Sequence, residues 1–272
     1  MAYWGGHGRN FQSNSPTGLL ERWKRRTLTS VDWWFAYTDI TAAIVRDANF
    51  PQERITVLNN AIDNRSFAAD LASVSDAEIA ALRASIDASE NAVVGLFFCG
   101  SLYADKRLHM MLESCRRVVN RHPDFRLVVL GDGPPSRRDL QPAMGKPWFH
   151  WAGTQRGKEK AAWFKAANLL INPGAVGLHI LDSFAAEIPL LTTKDAKHGP
   201  EISYLEDGIS GIVTEGTVEA FASAIQQLID QPERRASLGR QARTKAQSYT
   251  LDAMVESFVS GMDACLRMPR LH

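Results

Sequence analysis

From Asn91 onward, short apolar runs alternate with longer amphipathic stretches, and no other feature restricts the fold as strongly. Ala92 to Cys99 is apolar, too short for a free-standing helix and bounded by Gly100-Ser101, so it reads as a buried strand. Leu108, Met111, Leu112, Cys115, Val118 and Val119 then recur at helical spacing until His122-Pro123 ends the pattern. Phe125–Leu130 reads as a strand stopped by Gly131-Asp-Gly-Pro-Pro135, Trp148–Trp151 as a short strand, and Lys158–Ala167 as a helix. Leu169–Asn172, Pro189–Thr193 and Gly211–Thr214 read as further strands, with a helix over Leu178–Glu187. Helices over Val218–Ile229, Pro232–Ser248 and Leu251–Leu266 close the chain. Strands separated by helices need crossover connections, and crossovers build a parallel sheet with helices on both faces. The expected class is α/β, with a doubly wound, Rossmann-like domain.

The beginning of the chain is sparser. A basic helical stretch, Leu19–Thr27, leads to the apolar run Val31–Tyr37, a helix near Thr41–Ala48 and the strand Ile55–Leu58. Asp70 to about Ser89 reads as a charged helical linker. Two strands cannot make a sheet covered on both faces. At roughly 150 residues per domain, 272 residues fall between one domain and two. The expected division is residues 1–88, a partial domain with its linker, and residues 89–272, a complete domain whose last helix packs back on the first part. The first unit is about half the size of the second, so the chain reads as truncated at its N-terminus.

Charge excludes some functions. Thirty-one Lys and Arg against thirty Asp and Glu leave a formal charge of +1, so no global field draws the protein to nucleic acid. Cys99, Cys115 and Cys265 are odd in number, far apart and set in apolar runs, as in reduced cytosolic thiols rather than a disulfide framework or zinc site. No run approaches the ~20 apolar residues of a membrane span, and Met1–Asn10 lacks the apolar core of a signal peptide. A cytoplasmic chain is expected. Arg22-Trp-Lys-Arg-Arg26 followed by Trp33-Trp34-Phe35 has two readings: a basic, aromatic patch touching anionic lipid, or a solvated helix followed by a core strand.

In open parallel sheets, ligands bind at the carboxyl ends of the strands. Three loops there have suitable composition. Cys99-Gly-Ser-Leu-Tyr-Ala-Asp-Lys106 sets a lysine at the start of a helix, against the helix dipole; an anion such as a diphosphate would justify it, and a solvated surface lysine is the alternative. Gly131-Asp-Gly-Pro-Pro135 is a turn by composition. In Asn172-Pro-Gly-Ala-Val-Gly-Leu-His-Ile-Leu-Asp182, Gly174 and Gly177 strip side chains from a strand-to-helix turn. The amides of Gly177, Leu178 and His179 suit a diphosphate or a sugar hydroxyl, and Asp182 is placed to reach a ribose. A tight turn with a surface aspartate is the plain alternative.

In order and spacing, these segments resemble the donor-binding half of GT-B glycosyltransferases, specifically the retaining family four group. The resemblance covers most of residues 1–262 and is carried by Gly100–Lys106, Leu127-Val-Val-Leu-Gly-Asp-Gly-Pro134, Ala166–Gly174, Gly177–Ala186 and His198–Gly208. Upstream, Ile55-Thr-Val-Leu-Asn-Asn-Ala-Ile-Asp63 resembles the motif before the interdomain linker. The resemblance implies transfer of a sugar from a nucleotide-diphosphate donor to a glycan or lipid-linked acceptor in cell-surface polysaccharide assembly. It implies no cofactor and no metal, and we see no metal-ligand spacing. By position, Lys106 would neutralise the departing diphosphate and Asp182 would bind the donor ribose, with Gly100, Ser101, Gly131, Gly174, Val176, Gly177 and Leu178 lining the donor site. His7 resembles the acceptor-side histidine near the anomeric centre, a loop histidine being the alternative.

Three positions depart from the family pattern. Ser101 stands where the family carries a diphosphate-binding arginine, Gly174 replaces the first glutamate of Glu-x7-Glu, and Glu187 occupies a usual glycine. Ser101 and Gly174 both reduce donor contacts. A non-catalytic nucleotide-sugar-binding remnant, or half of a split enzyme, is therefore the competing expectation. An epimerase of similar architecture lacks its acid–base constellation here.

Overall fold

The computed structural model describes residues 3–6, 18–133 and 136–271. Two parallel sheets organise the chain. The first part runs β1 (Tyr3–Gly6), α1 (Leu19–Thr27), β2 (Trp33–Ala36), α2 (Asp39–Asp47) and β3 (Ile55–Val57), its strands ordered β1-β2-β3. β1 makes a third strand where two are expected. Tyr-Trp-Gly-Gly has no alternation and ends in two glycines, so nothing local marks it.

One face of this sheet packs Trp34 with Leu28, Val31, Val45 and Phe50. The other packs Trp33 and Phe35 with Leu58 and Cys265, which belongs to the last helix of the chain. That return is how so small a sheet is covered on both faces. Trp33, Trp34 and Phe35 are thus core residues, 3%, 1% and 1% exposed, whereas Leu19 and Trp23 on α1 are 83% and 55% exposed. Of the basic, aromatic patch, only the helical half lies at the surface.

α3 (Asn64–Ser73) and α4 (Asp76–Ser85) occupy the stretch expected as a charged linker. Ser75 and Glu78 form a reciprocal capping box that breaks the stretch in two. Both helices pack on α7 (Gly157–Ala166): α3 buries Phe67 and Leu71 in the larger sheet's core, Val74 follows between the helices, and α4 lays the partly buried Ile79 and Leu82 against it. Arg83 fastens the stretch further by donating to the carbonyls of Ala166 and Ala92 at 2.9 and 2.6 Å.

The larger sheet follows as β4 (Val94–Ser101), α5 (Leu108–Arg121), β5 (Arg126–Asp132), α6 (Ser136–Leu140), β6 (Phe149–Gly153), then α7, β7 (Leu169–Ile171), α8 (His179–Ala185), β8 (Leu190–Thr193), β9 (Gly211–Thr214) and α9 (Val218–Asp230). α10 (Pro232–Ala246) and α11 (Leu251–Arg267) complete it. All six strands are parallel, ordered β6-β5-β4-β7-β8-β9. Leu96, Val128 and Leu170 face a core shared with α3, α7 and α8. Phe97, Leu127 and Val129 face the opposite core, under α5 and α9.

The chain crosses between the sheets twice, after β3 and before α11. The crossings meet: Asn64 Nδ2 donates to Tyr249 O at 2.8 Å, and the Ala61 amide points to Met254 Sδ at 3.4 Å. Tyr204 stacks on Tyr249 with ring centroids 3.9 Å apart and donates its hydroxyl to Asn60 O at 3.0 Å. Asn60 Nδ2 in turn donates to Glu201 Oε1 at 2.9 Å. Beyond the crossing, α11 lies against β2 and β3, and a Cβ at Gly261 would come 2.4 Å from Thr56 Oγ1 and 2.6 Å from the Phe35 ring. Only glycine permits that approach.

Candidate active site at the strand-order switch point

The six-stranded order reverses between β4 and β7, the place where open parallel sheets form a ligand crevice at their carboxyl ends. The loops leaving those two strands carry Lys106 and Gly174. They are pressed together backbone to backbone. The Ala175 amide donates to Asp105 O at 2.8 Å, and Lys106 Nζ donates to Ala175 O at 2.5 Å. A Cβ at Gly174 would lie 2.3 Å from Asp105 O and 2.5 Å from Lys106 Cα, so no side chain fits there without separating the loops. Lys106 is buried, 4% exposed, within a single turn of 3₁₀ helix rather than on a solvated surface.

Asn172 shapes the second loop from inside. Fully buried, it accepts from the Gly174 amide at 3.2 Å and donates through Nδ2 to Ala175 O at 3.1 Å and to His179 Nε2 at 2.8 Å. His198 closes the far side. Its Nδ1 accepts from the Val176 amide at 3.2 Å while Nε2 faces Thr193 O at 2.6 Å, which assigns the proton to Nε2. Burial, reinforced by the positive charge of Lys106, holds His179 well below the usual imidazole range. Burial also lowers His198, with the Thr193 carbonyl opposing it and Arg107 and Lys106 adding to it. Both imidazoles are therefore neutral struts at neutral pH. Arg107, at φ 53°, donates to Asp195 Oδ1 at 2.9 Å and Thr193 Oγ1 at 3.2 Å, tying the β4 loop to the end of β8.

Asp182 lies in α8 and is 3% exposed. Its Oδ1 accepts from Lys160 Nζ at 2.8 Å across to α7. Burial raises the Asp182 pKa, while the Lys160 charge and hydrogen bond act to lower it. Lys160 also lines a cavity of about 270 Å³ with Phe98, Gly131, Thr154, Gln155 and Arg156, at the carboxyl ends of β4, β5 and β6. Phe98 joins this cavity to the second loop through an edge contact with His179, ring centroids 6.5 Å apart.

The structure thus brings Lys106, Gly174 and Val176 to one junction, sets Gly131 in the neighbouring cavity, and links Asp182 to that cavity through Lys160. Gly177 and Leu178 stand at the start of α8, with open space where a Gly177 side chain would project. Gly100 and Ser101 end β4, Ser101 in register with Asp132; their side-chain positions, and His7 altogether, lie outside the described residues. Lys160 carries no signal in the sequence that sets it apart from Lys158 or Lys165. Among the described residues no cluster of His, Cys, Asp and Glu could hold a metal ion, and no helix is long and apolar enough to cross a membrane.

The two parallel sheets, with the last helix returning to the first, have the GT-B architecture. Residues 94–231 match the family profile described as glycosyl transferases group 1, half of the chain, and the chain belongs to that family. It is 24% identical over 172 residues to a GDP-mannose-dependent alpha-(1-6)-phosphatidylinositol dimannoside mannosyltransferase of Mycobacterium tuberculosis, a match covering 62% of this chain and 44% of that protein. It is 27% identical over 183 residues to a D-inositol 3-phosphate glycosyltransferase of Pseudarthrobacter chlorophenolicus, covering 62% and 43%. The chain therefore spans less than half the length of these curated relatives. Among solved structures, Anabaena HepE in complex with UDP superposes with a TM-score of 0.76 at 16% identity, covering 96% of this chain and 72% of that one.

Proposed function

We propose that the protein binds a nucleotide-diphosphate sugar in the switch-point crevice and passes the sugar, a hexose, to a glycan or lipid-linked acceptor with retention at the anomeric carbon. The observation that carries this reading is the junction of Lys106 with the Asn172–Gly177 loop, which fixes a buried ammonium beside the start of α8. Such a cation, positioned before reaction, stabilises the diphosphate as it leaves. HepE, a structural neighbour, was solved with UDP, and the M. tuberculosis relative is named for a GDP-sugar, so both bases are reasonable probes. In this reading Gly100, Ser101, Gly131, Gly174, Val176, Gly177 and Leu178 contact the donor largely through backbone, Asp182 serves the ribose side of the site from behind Lys160, no metal takes part, and His7 acts on the acceptor side. Residues 1–88 form the acceptor side with its linker, and residues 89–272 the donor domain. A cytoplasmic protein peripheral to the membrane is the matching location. Leu19 and Trp23 stand exposed beside Arg22, Arg25 and Arg26 on α1, a composition suited to an anionic lipid surface in polysaccharide assembly.

Titration calorimetry with UDP, GDP and their sugars tests the donor site. Binding is expected, and Lys106→Ala should weaken it about tenfold or more. No binding of any of these ligands by the intact chain overturns the reading. The Gly174 packing favours a second reading, binding without turnover, because the transferred sugar finds no carboxylate at that position. Donor hydrolysis and transfer assays separate the two.

A further inference from the structure

Lys160 belongs to none of the motifs, yet it connects the buried acid of α8 with the cavity beside it. Its ammonium lies 4.1 Å from the Phe67 ring centroid and 5.2 Å from that of Phe98, and donates to Asp182 Oδ1 at 2.8 Å. The two partners differ in access: the Asp182 side chain is 4% exposed and that of Lys160 17%. Of the pair it is therefore Lys160, and not Asp182, that the cavity meets. An ammonium has three N–H donors, and Asp182 takes one.

The charge of Lys160 is balanced by its partner, so the pair as a whole has little reason to prefer an anion. A hydroxyl suits it better, since a hydroxyl accepts from the ammonium with no charge to compensate. Resting on the nucleotide-donor reading above, we propose that Lys160, held in place by Asp182, is a specificity-determining residue that donates to a ribose hydroxyl of the bound nucleotide. It thereby discriminates ribonucleotides from their deoxy counterparts. Asp182 acts chiefly as the group that positions it.

The test is the ratio of dissociation constants for a 2′,3′-dideoxy and the corresponding ribonucleoside diphosphate, measured calorimetrically. The intact protein should favour the ribonucleotide about tenfold or more. Lys160→Met keeps the apolar stem and should bring the ratio to about 1–2, whereas Lys160→Arg should retain a preference. Because Lys160→Met leaves Asp182 buried without its partner, the comparison is repeated in an Asp182→Asn background. There the single variant should keep a preference that Asp182→Asn/Lys160→Met loses. An unchanged ratio in the Lys160→Met variants, with ribonucleotide binding intact, overturns the role of Lys160 alone. A failure of the wild-type protein to bind any nucleoside diphosphate overturns both this inference and the donor reading beneath it.

Discussion

Gly174 shows how one residue fixes the relation between two loops. Its missing side chain lets the Asp105–Lys106 backbone sit where a Cβ would be. The family's glutamate cannot be restored here in isolation. Gly174→Glu should lower stability by about 2 kcal/mol or more through overpacking, with no gain in donor affinity, as thermal unfolding and calorimetry on the same variant would show. At this scale the sequence was informative about residue types and silent about partners. Lys106 and Asp182 are legible because each sits at a set place relative to a strand-to-helix turn. Lys160 is not, because its pairing with Asp182 spans 22 residues and exists only once α7 and α8 lie side by side. Burial was equally out of reach: a lysine beside a helix start reads the same whether solvated or enclosed.

Among the elements, Glu187 marks the end of α8 with a backbone at φ 58°, in the left-handed region. A glycine there removes the Cβ strain, and the Glu187–Arg243 ion pair it would sacrifice is half-exposed on both sides and worth little. Glu187→Gly should therefore raise stability by about 0.5–1 kcal/mol in urea unfolding. A loss of stability would show that the ion pair outweighs the strain. Elements of the larger sheet were legible to within a few residues, since each apolar run is bounded by turn-forming residues. The missed break between α3 and α4 did have a local mark, Ser75 and Glu78 at capping-box spacing. The packing of α3 and α4 on α7 had none, because contacts between elements distant in the chain leave no periodic trace.

For the whole molecule, the neutral histidines of the crevice set a direction for pH dependence. His179 and His198 are held below the ordinary imidazole value in the folded state, whereas the unfolded chain takes up protons near pH 6.5. Below that pH the unfolded state binds more protons, so stability falls as pH falls, by up to about 1.4 kcal/mol per pH unit for each histidine. Asp182 has the opposite sign: its raised pKa makes the folded form take up that proton more readily than the unfolded form, so this group gains stability as pH falls. Melting temperatures measured between pH 7.5 and 5.5 should decline with acidity, and His179→Gln should flatten the decline. Equal slopes in both proteins would show that His179 protonates without penalty.

The paired crossings between the sheets have a mechanical consequence. The segments near Asn60 and Tyr249 run side by side and are bonded to each other through Asn64, with Tyr204 clasping both. A body joined to its neighbour by two adjacent pins swings about the line through them and resists sliding or twisting. Any movement of one sheet against the other is therefore a swing about that line, greatest at the parts farthest from the Asn60–Tyr249 clasp.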